Sequence, residues 1–164
     1  MISAGATTVN RTDGNFTSET AWSSGGGGPS KFEPGPSYQN VISNIVWSKR
    51  GTPDFSFDAN PNTGVSVYDS IYCNGYQYRM VFGGTSVSSP ALAGIINLAN
   101  KKYGSGSGDS WAEQTQIYTG YGKPGYYSSF TFRDITSGSA GTFSAISGWD
   151  FATGVGSNQG LNGK

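Results

Sequence analysis

The chain has 164 residues, enough for one domain with its own core, and residues 1–164 are treated as a single unit. Only 12% of the residues are charged, and ten Lys and Arg balance ten Asp and Glu, which argues against a nucleic-acid partner. The single cysteine, Cys73, excludes an internal disulfide and is interpreted as a small buried apolar residue. No apolar run approaches the roughly 20 residues of a membrane span, so we expect no membrane partner.

The first third of the chain is predicted to contain one strand followed by loops. Residues 2–9 have the pattern of a short strand. Residues 13–40 are rich in Gly, Ser and Pro and are predicted to be loop. Within them, the four glycines at 25–28 would permit a close backbone approach, but a flexible surface loop is the simpler interpretation. Residues 38–47 are compatible with either a short helix or a strand.

The middle of the chain carries the stronger patterns. Strands are predicted over 53–58 and 65–68, with an Asn-Pro-Asn-Thr-Gly turn between them. The clearest helix begins at Pro90 and repeats apolar residues with helical spacing; we place Pro90 in its first turn, where the missing N–H costs nothing. A weaker helix is predicted over 111–118, and the remaining residues are predicted to be loop with short strands.

A Gly-Gly-Thr-Ser sequence at 83–86 stands directly before this helix, in a chain that contains no histidine. Unpaired N–H groups and the positive dipole at a helix start favour an oxyanion next to the Ser86 oxygen. The alternative is that Ser86, Ser88 and Ser89 only cap the helix. The longer string Gly-Thr-Ser-x-x-Ser-Pro-Ala-x-Ala-Gly favours the catalytic interpretation and resembles the nucleophile segment of subtilisin-type serine peptidases, which need histidine as the base.

Further segments carry a wider resemblance. They are residues 2–9 with a Gly-Ala-Thr-Thr sequence, Glu-Thr-Ala-Trp at 19–22, the glycines at 25–27, Arg-Gly-Thr-Pro-Asp at 50–54 and the turn at 58–64. Together with the serine string they resemble the sedolisin family of serine-carboxyl peptidases, which share the subtilisin fold but use glutamate in place of histidine. The resemblance implies an α/β fold, a partial subtilisin-like parallel sheet with flanking helices, corresponding to the C-terminal portion of the catalytic domain.

The same resemblance implies a reaction and its conditions. Ser86 would be the catalytic nucleophile of an endopeptidase or tripeptidyl peptidase that hydrolyses proteins or peptides at acidic pH. In acid an imidazole is protonated and cannot accept a proton, whereas a carboxylate remains available near pH 4, by its ordinary pKa of about 4. A second carboxylate orients the glutamate, and a protonated aspartate donates to the oxyanion.

These three carboxyl groups lie upstream of the strand equivalent to residues 2–9 in the family. We therefore expect the early strands and helices of the domain to be missing, and the partner of this chain to be the upstream part of the same catalytic domain. Glu19 and Asp54 match segments that do not carry catalytic carboxylates. The isolated chain is predicted to be inactive, whether it is a fragment or a natural short protein.

The loop-rich C-terminal region resembles the calcium-binding segment of the family, at 132–138 and 147–156. Calcium prefers oxygen ligands from carboxylates and backbone carbonyls. One structural Ca²⁺ is implied, with side-chain oxygens from two residues and carbonyl oxygens from three: Asp134 and Asp150, then Ile135, Ile146 and Gly148. The family often has Gly at the position of Ile146, which a carbonyl ligand does not require. Without the resemblance, the two aspartates would be interpreted as turn residues.

Two other functions stay open at this point. One is a non-catalytic scaffold or binding module stabilised by calcium. The other is a secreted β protein that binds carbohydrate through its aromatic residues, which only the composition supports. Few charges together with many Gly, Ser and Tyr are typical of secreted proteins, and we expect an extracellular location or an acidic compartment.

Overall fold

The computed structural model describes residues 1–103 and 109–164, except for the side chains of residue 73 and of residues 100–103. The predicted burial of Cys73 lies outside the described residues. The strands are β1 (Ala4–Thr12), β2 (Asn15–Ala21), β3 (Gly28–Pro34), β4 (Lys49–Thr52), β5 (Phe55–Asp58), β6 (Val65–Cys73), β7 (Tyr76–Phe82), β8 (Phe132–Arg133), β9 (Ser139–Ala140), β10 (Phe143–Ser144) and β11 (Ser157–Asn158). The helices are α1 (Ser43–Val46), α2 (Thr85–Tyr103) and α3 (Ser110–Thr119), and a 3₁₀ helix covers Ser37–Ile42.

A five-stranded sheet forms the centre of the molecule, in the order β2-β1-β5-β11-β8. The three central strands β1, β5 and β11 run parallel, and the two edge strands β2 and β8 are antiparallel to their neighbours. The predicted α/β fold with a parallel sheet is confirmed, with antiparallel strands added at its edges. Because the parallel strands end at the same edge of the sheet, the residues that follow β1 and β5 lie near one another.

The helices cover this sheet and close the core. Helix α2 packs on β1 and β5, and α3 packs on the 3₁₀ helix. Apolar side chains from these elements meet in one cluster, which burial removes from water. Its fully buried members include Ile42, Phe55, Leu92, Ile117, Phe132 and Trp149. The α3 helix matches the prediction for 111–118, and its N-cap Asp109 accepts a hydrogen bond from the Ala112 N–H at 2.7 Å.

The prediction that residues 13–40 are loop is wrong, because β2 and β3 lie within them. Asp13 and Gly14 connect β1 to β2 with φ angles of 51° and 79°, the combination of a type I′ hairpin turn. Asn74 and Gly75 connect β6 to β7 in the same way, with φ angles of 49° and 86°. These dipeptides are hairpin signals that outweigh the loop-like composition around them.

The glycine run at 25–28 is not simply a flexible surface loop. A Cβ added at Gly27 would overlap the carbonyl oxygen of Phe151 and press on that of Thr52, whereas one added at Gly26 would meet nothing within 4 Å. A close backbone approach therefore requires glycine at position 27. The short helices over 37–46 settle the ambiguity left at 38–47 in favour of helix.

No helix among the described residues is long and apolar enough to cross a membrane.

Candidate functional site

Ser86 is the second residue of α2, and its side chain is exposed. The first helical hydrogen bond runs from the Val87 N–H to the Gly84 carbonyl at 2.9 Å. The N–H groups of Thr85 and Ser86 precede it, so they belong to the unpaired donors of a helix start. The hydroxyl thus stands beside free backbone donors at the positive end of the helix dipole, where a negative oxygen is stabilised.

The turn before Ser86 is fixed by backbone contacts with the end of β5. Gly84 has a φ angle of 91°, and its N–H donates to the Ala59 carbonyl at 2.5 Å. Gly83 lies against Ala59 and Pro61, at a distance that leaves no room for a side chain. The serine turn is therefore attached to the carboxyl edge of the parallel sheet.

The interpretation of the three serines as caps is wrong. The helix begins at Thr85, so Ser86, Ser88 and Ser89 all lie inside it. Ser88 is fully buried, and its Oγ donates to the Gly5 carbonyl in β1 at 2.6 Å. This hydrogen bond holds the first turn of α2 on the sheet, while Ser86 remains free to face solvent.

Pro90 does not lie in the first turn, contrary to the prediction, because α2 begins five residues before it. At this position proline removes the N–H that would donate to the carbonyl four residues earlier, which is that of Ser86. The carbonyl of the candidate nucleophile therefore lacks its helical donor. The predicted helix is confirmed, with Leu92 and Ala99 of its apolar pattern buried, although Leu98 is exposed.

Glu19 and Asp54, which lie in segments that resemble the family, are hydrogen-bonded to groups other than Ser86. Asp54 is fully buried and accepts hydrogen bonds from Arg50, from the Ser3 N–H and from the Tyr118 hydroxyl at 2.6, 2.8 and 3.0 Å. Glu19 accepts from the Thr7 and Ser157 hydroxyl groups at 2.6 and 2.7 Å.

No side chain among the described residues makes a hydrogen bond to Ser86, and the chain contains no histidine. The described residues therefore supply the candidate nucleophile and its helix start.

The five candidate calcium residues lie around one loop. Asp134 accepts hydrogen bonds from the Ser147 hydroxyl and the Gly148 N–H at 3.0 and 3.1 Å. Asp150 accepts from the Ile146 N–H at 2.9 Å, and its other oxygen accepts from the Thr153 N–H at 2.8 Å. The two carboxylates thus hold the 146–148 loop from either side. Ile135, the fifth candidate, is buried next to Asp134, while the Ile146 side chain is 55% exposed.

Comparison with known proteins finds similar chains. The chain is 31% identical to sedolisin of Pseudomonas sp. (strain 101) and 32% identical to kumamolisin of Bacillus sp. (strain MN-32), over 96% and 98% of its length. A solved structure of Pseudomonas sedolisin, a serine-carboxyl proteinase complexed with two molecules of pseudo-iodotyrostatin, is similar over 96% of this chain with a TM-score of 0.76 and 30% identity. The chain is homologous to part of the sedolisin-family peptidases. No family model matches it.

The similarity to the sedolisin family is partial in length. The chain spans 27% of sedolisin and 30% of kumamolisin, and 43% of the sedolisin chain in the solved structure. This coverage fits the prediction that the chain corresponds to the C-terminal portion of a sedolisin-type catalytic domain.

Two tyrosines beside the aspartate loop were not identified from the sequence. The Tyr121 hydroxyl accepts a hydrogen bond from the Trp149 N–H at 2.6 Å. The Tyr127 hydroxyl is buried and has no hydrogen-bond partner among the described residues. Burial, and then the charge of Asp134, raises the pKa of Tyr127. The tyrosine-rich stretch over 118–127 was the available signal, but neither residue belongs to a motif that suggests this contact.

Proposed function

We propose that this chain carries the nucleophile of a serine-type peptidase that hydrolyses peptide bonds of proteins at acidic pH. The observation that supports this most directly is Ser86, exposed at the start of a helix that is anchored to the carboxyl edge of a parallel sheet. The Ser86 hydroxyl attacks the substrate carbonyl, and the N–H groups of the first helical turn stabilise the oxygen that becomes negative. The names of the sedolisin-family relatives support the same reaction class.

The proton acceptor is supplied by carboxylates outside these 164 residues, in an upstream part of the same catalytic domain. Glu19 and Asp54 are held by internal donors, and no described carboxylate is hydrogen-bonded to Ser86. A serine hydroxyl without a base is a weak nucleophile, so the chain alone has no turnover. The same observation favours a second candidate function, a non-catalytic scaffold or binding module.

We also propose one structural Ca²⁺ held by Asp134 and Asp150 and by the carbonyl oxygens of Ile135, Ile146 and Gly148. Asp150 is only 3% exposed, and neither aspartate forms an ion pair with Lys or Arg among the described residues. The unpartnered Tyr127 hydroxyl adds a further oxygen-bearing group to the same region. No three His, Cys, Asp or Glu side chains in the described part cluster to hold a metal, so backbone carbonyls must complete the ligand set.

This chemistry favours a location in which the surrounding pH is acidic. We place the protein outside the cell or in an acidic compartment, where a carboxylate base remains functional and a Ca²⁺ site is supplied with metal. Its substrates are proteins or peptides.

The deciding experiment compares the chain alone with the chain extended by the residues that its gene encodes before Met1. Hydrolysis of a denatured protein is measured at about pH 4, where a carboxylate base is partly ionised. We expect no hydrolysis by the chain alone and hydrolysis by the extended protein. Absence of hydrolysis in both would favour the scaffold function, and hydrolysis by the chain alone would contradict the external base.

A further inference from the structure

An open cleft of about 500 Å³ lies at the carboxyl edge of the central sheet. Its walls are formed where the three parallel strands end, by Arg11 of β1, Asp58 of β5 and Asn158 of β11. Phe16 and Arg133 add side chains from the two antiparallel edge strands. We refer to it as the Arg11–Arg133 cleft.

The cleft adjoins the turn that carries Ser86. Asp58 in the cleft wall is followed by Ala59, whose carbonyl accepts the Gly84 N–H. Val65, another wall residue, pairs in the β6–β7 hairpin with Phe82, four residues before Ser86. The cleft wall and the serine turn are therefore joined by backbone contacts.

The acidic groups of the cleft accept hydrogen bonds from within the protein. Glu19 accepts hydroxyl hydrogen bonds at both oxygens. Asp58 accepts from the Thr63 hydroxyl at 2.8 Å and from the Val9 N–H at 3.3 Å. Both of these Asp58 hydrogen bonds end on Oδ1.

The basic groups of the cleft are not satisfied in this way. Arg133 contacts Glu19 only through Nε, at 3.5 Å, and its guanidinium lies 4.1 Å from the centre of the Phe16 ring. Among the described residues, no acceptor contacts its terminal nitrogens. Arg11 makes no hydrogen bond or ion pair within the described part of the chain, and it influences Asp58 only through its charge. The guanidinium donors of the cleft are therefore largely unused, and guanidinium donors match a carboxylate.

Asn158 adds an independent observation. Its amide oxygen is buried and has no hydrogen-bond partner among the described residues. Asn158 also lines the cleft, so its side chain adds an amide to the two guanidinium groups.

We propose that the Arg11–Arg133 cleft binds a carboxylate of the peptide chain held at Ser86, so that the enzyme favours substrates with an acidic group at this site. The carboxylate belongs either to an acidic side chain of the substrate peptide or to the C-terminus of that peptide. The identity of the ligand as a peptide rests on the proposed function. The cleft supplies two guanidinium groups for the carboxylate and aromatic surface for the atoms that precede it.

Peptide binding to the chain tests this proposal without requiring catalysis. Four acetylated pentapeptides are titrated at about pH 6, where a peptide carboxylate is ionised. One pair contains a central Glu or Gln and ends in an amide, and the other pair contains only Ala and ends in an acid or an amide. We expect the acid of at least one pair to bind about fivefold more tightly than its neutral partner, as charge-assisted hydrogen bonds predict. The pair that shows the preference identifies the source of the carboxylate.

Substitutions of the two arginines test whether the preference for acidic peptides arises from the cleft. Arg11→Gln removes one guanidinium, and Arg133→Lys keeps a positive charge beside Glu19 but removes the planar donors. Each should reduce the preference to about twofold or less, as expected for a single remaining guanidinium. The matched control is Arg79→Gln, which removes an exposed arginine from β7 outside the cleft and should leave the preference unchanged.

Equal binding of acids and amides, or a preference that survives both cleft substitutions, would overturn the proposal. Failure of the proposed function gives a different result. The carboxylate preference would then persist, while the extended protein would show no hydrolysis that depends on Ser86.

Discussion

Glu19 shows how the environment of one residue separates a structural carboxylate from a catalytic one. It is nearly buried beside β1, and two hydroxyl groups and Arg133 face its oxygens. Burial raises the pKa of Glu19 above its ordinary value of 4.5, although the hydrogen bonds and Arg133 act in the opposite direction. The Glu19 side chain links β2 to β1 and β11 through Thr7 and Ser157, and these contacts hold it away from Ser86.

Glu19→Gln should become more stable relative to the wild type as the pH rises. Because the folded-state pKa is raised, the stability provided by the bound proton is present below about pH 4.5 and is lost as the pH rises through the folded pKa. Gln stays neutral and avoids this loss. The measurement is urea unfolding of both proteins at about pH 4 and pH 7. The exposed Glu33→Gln controls for the loss of one negative charge, and a difference independent of pH would contradict the raised pKa.

At the scale of elements, the docking of α2 decides where Ser86 stands. The helix was predicted from its apolar period, which requires only local sequence. The start of the helix at Thr85 could not be predicted in this way. The Gly83–Gly84 turn before it is fixed by Ala59 and Pro61, which lie more than twenty positions away in the sequence. The hairpin turns at Asp13-Gly14 and Asn74-Gly75 were readable from the sequence, but the polar composition around the first of them favoured a loop.

The Ser88 hydrogen bond should contribute measurably to this docking. Ser88→Ala leaves the buried Gly5 carbonyl without this donor, which costs about 1 kcal/mol of unfolding free energy. Ser89→Ala is the matched control, since Ser89 is exposed in the same helix and corrects for the higher helix propensity of alanine. Chemical denaturation of both variants gives the difference. Equal stability of the two variants would show that the bond does not anchor the helix.

At the scale of the whole molecule, the sequence predicted the segments that contain candidate functional residues, but not the way in which distant segments come together in the fold. Ser86 and the two aspartates were found through motifs, and the structure brings Asp134 and Asp150 to one loop. The Arg11–Arg133 cleft could not be found in this way, because its walls come from segments separated by more than a hundred residues. Tertiary structure alone brings these side chains together.

Calcium should stabilise the whole fold through Asp134 and Asp150. At about a hundred times the Kd, calcium should raise the melting temperature by about 5–10 °C, and a chelator should reverse this. Asp150→Asn should abolish the response, because it removes one charge of the site. Asp13→Asn in the β1–β2 turn is the control and should retain it. A melting temperature that neither added calcium nor the chelator changes would show that the site is not a structural calcium site.

The central claim is that Ser86 is the nucleophile of a serine-carboxyl peptidase, and the rate of acidic hydrolysis by the extended protein tests it most directly. Ser86→Ala should lower kcat/KM by at least about a thousandfold, whereas Ser89→Ala should leave it within about twofold. Hydrolysis by Ser86→Ala at a rate comparable to that of the wild type would contradict the assignment of Ser86.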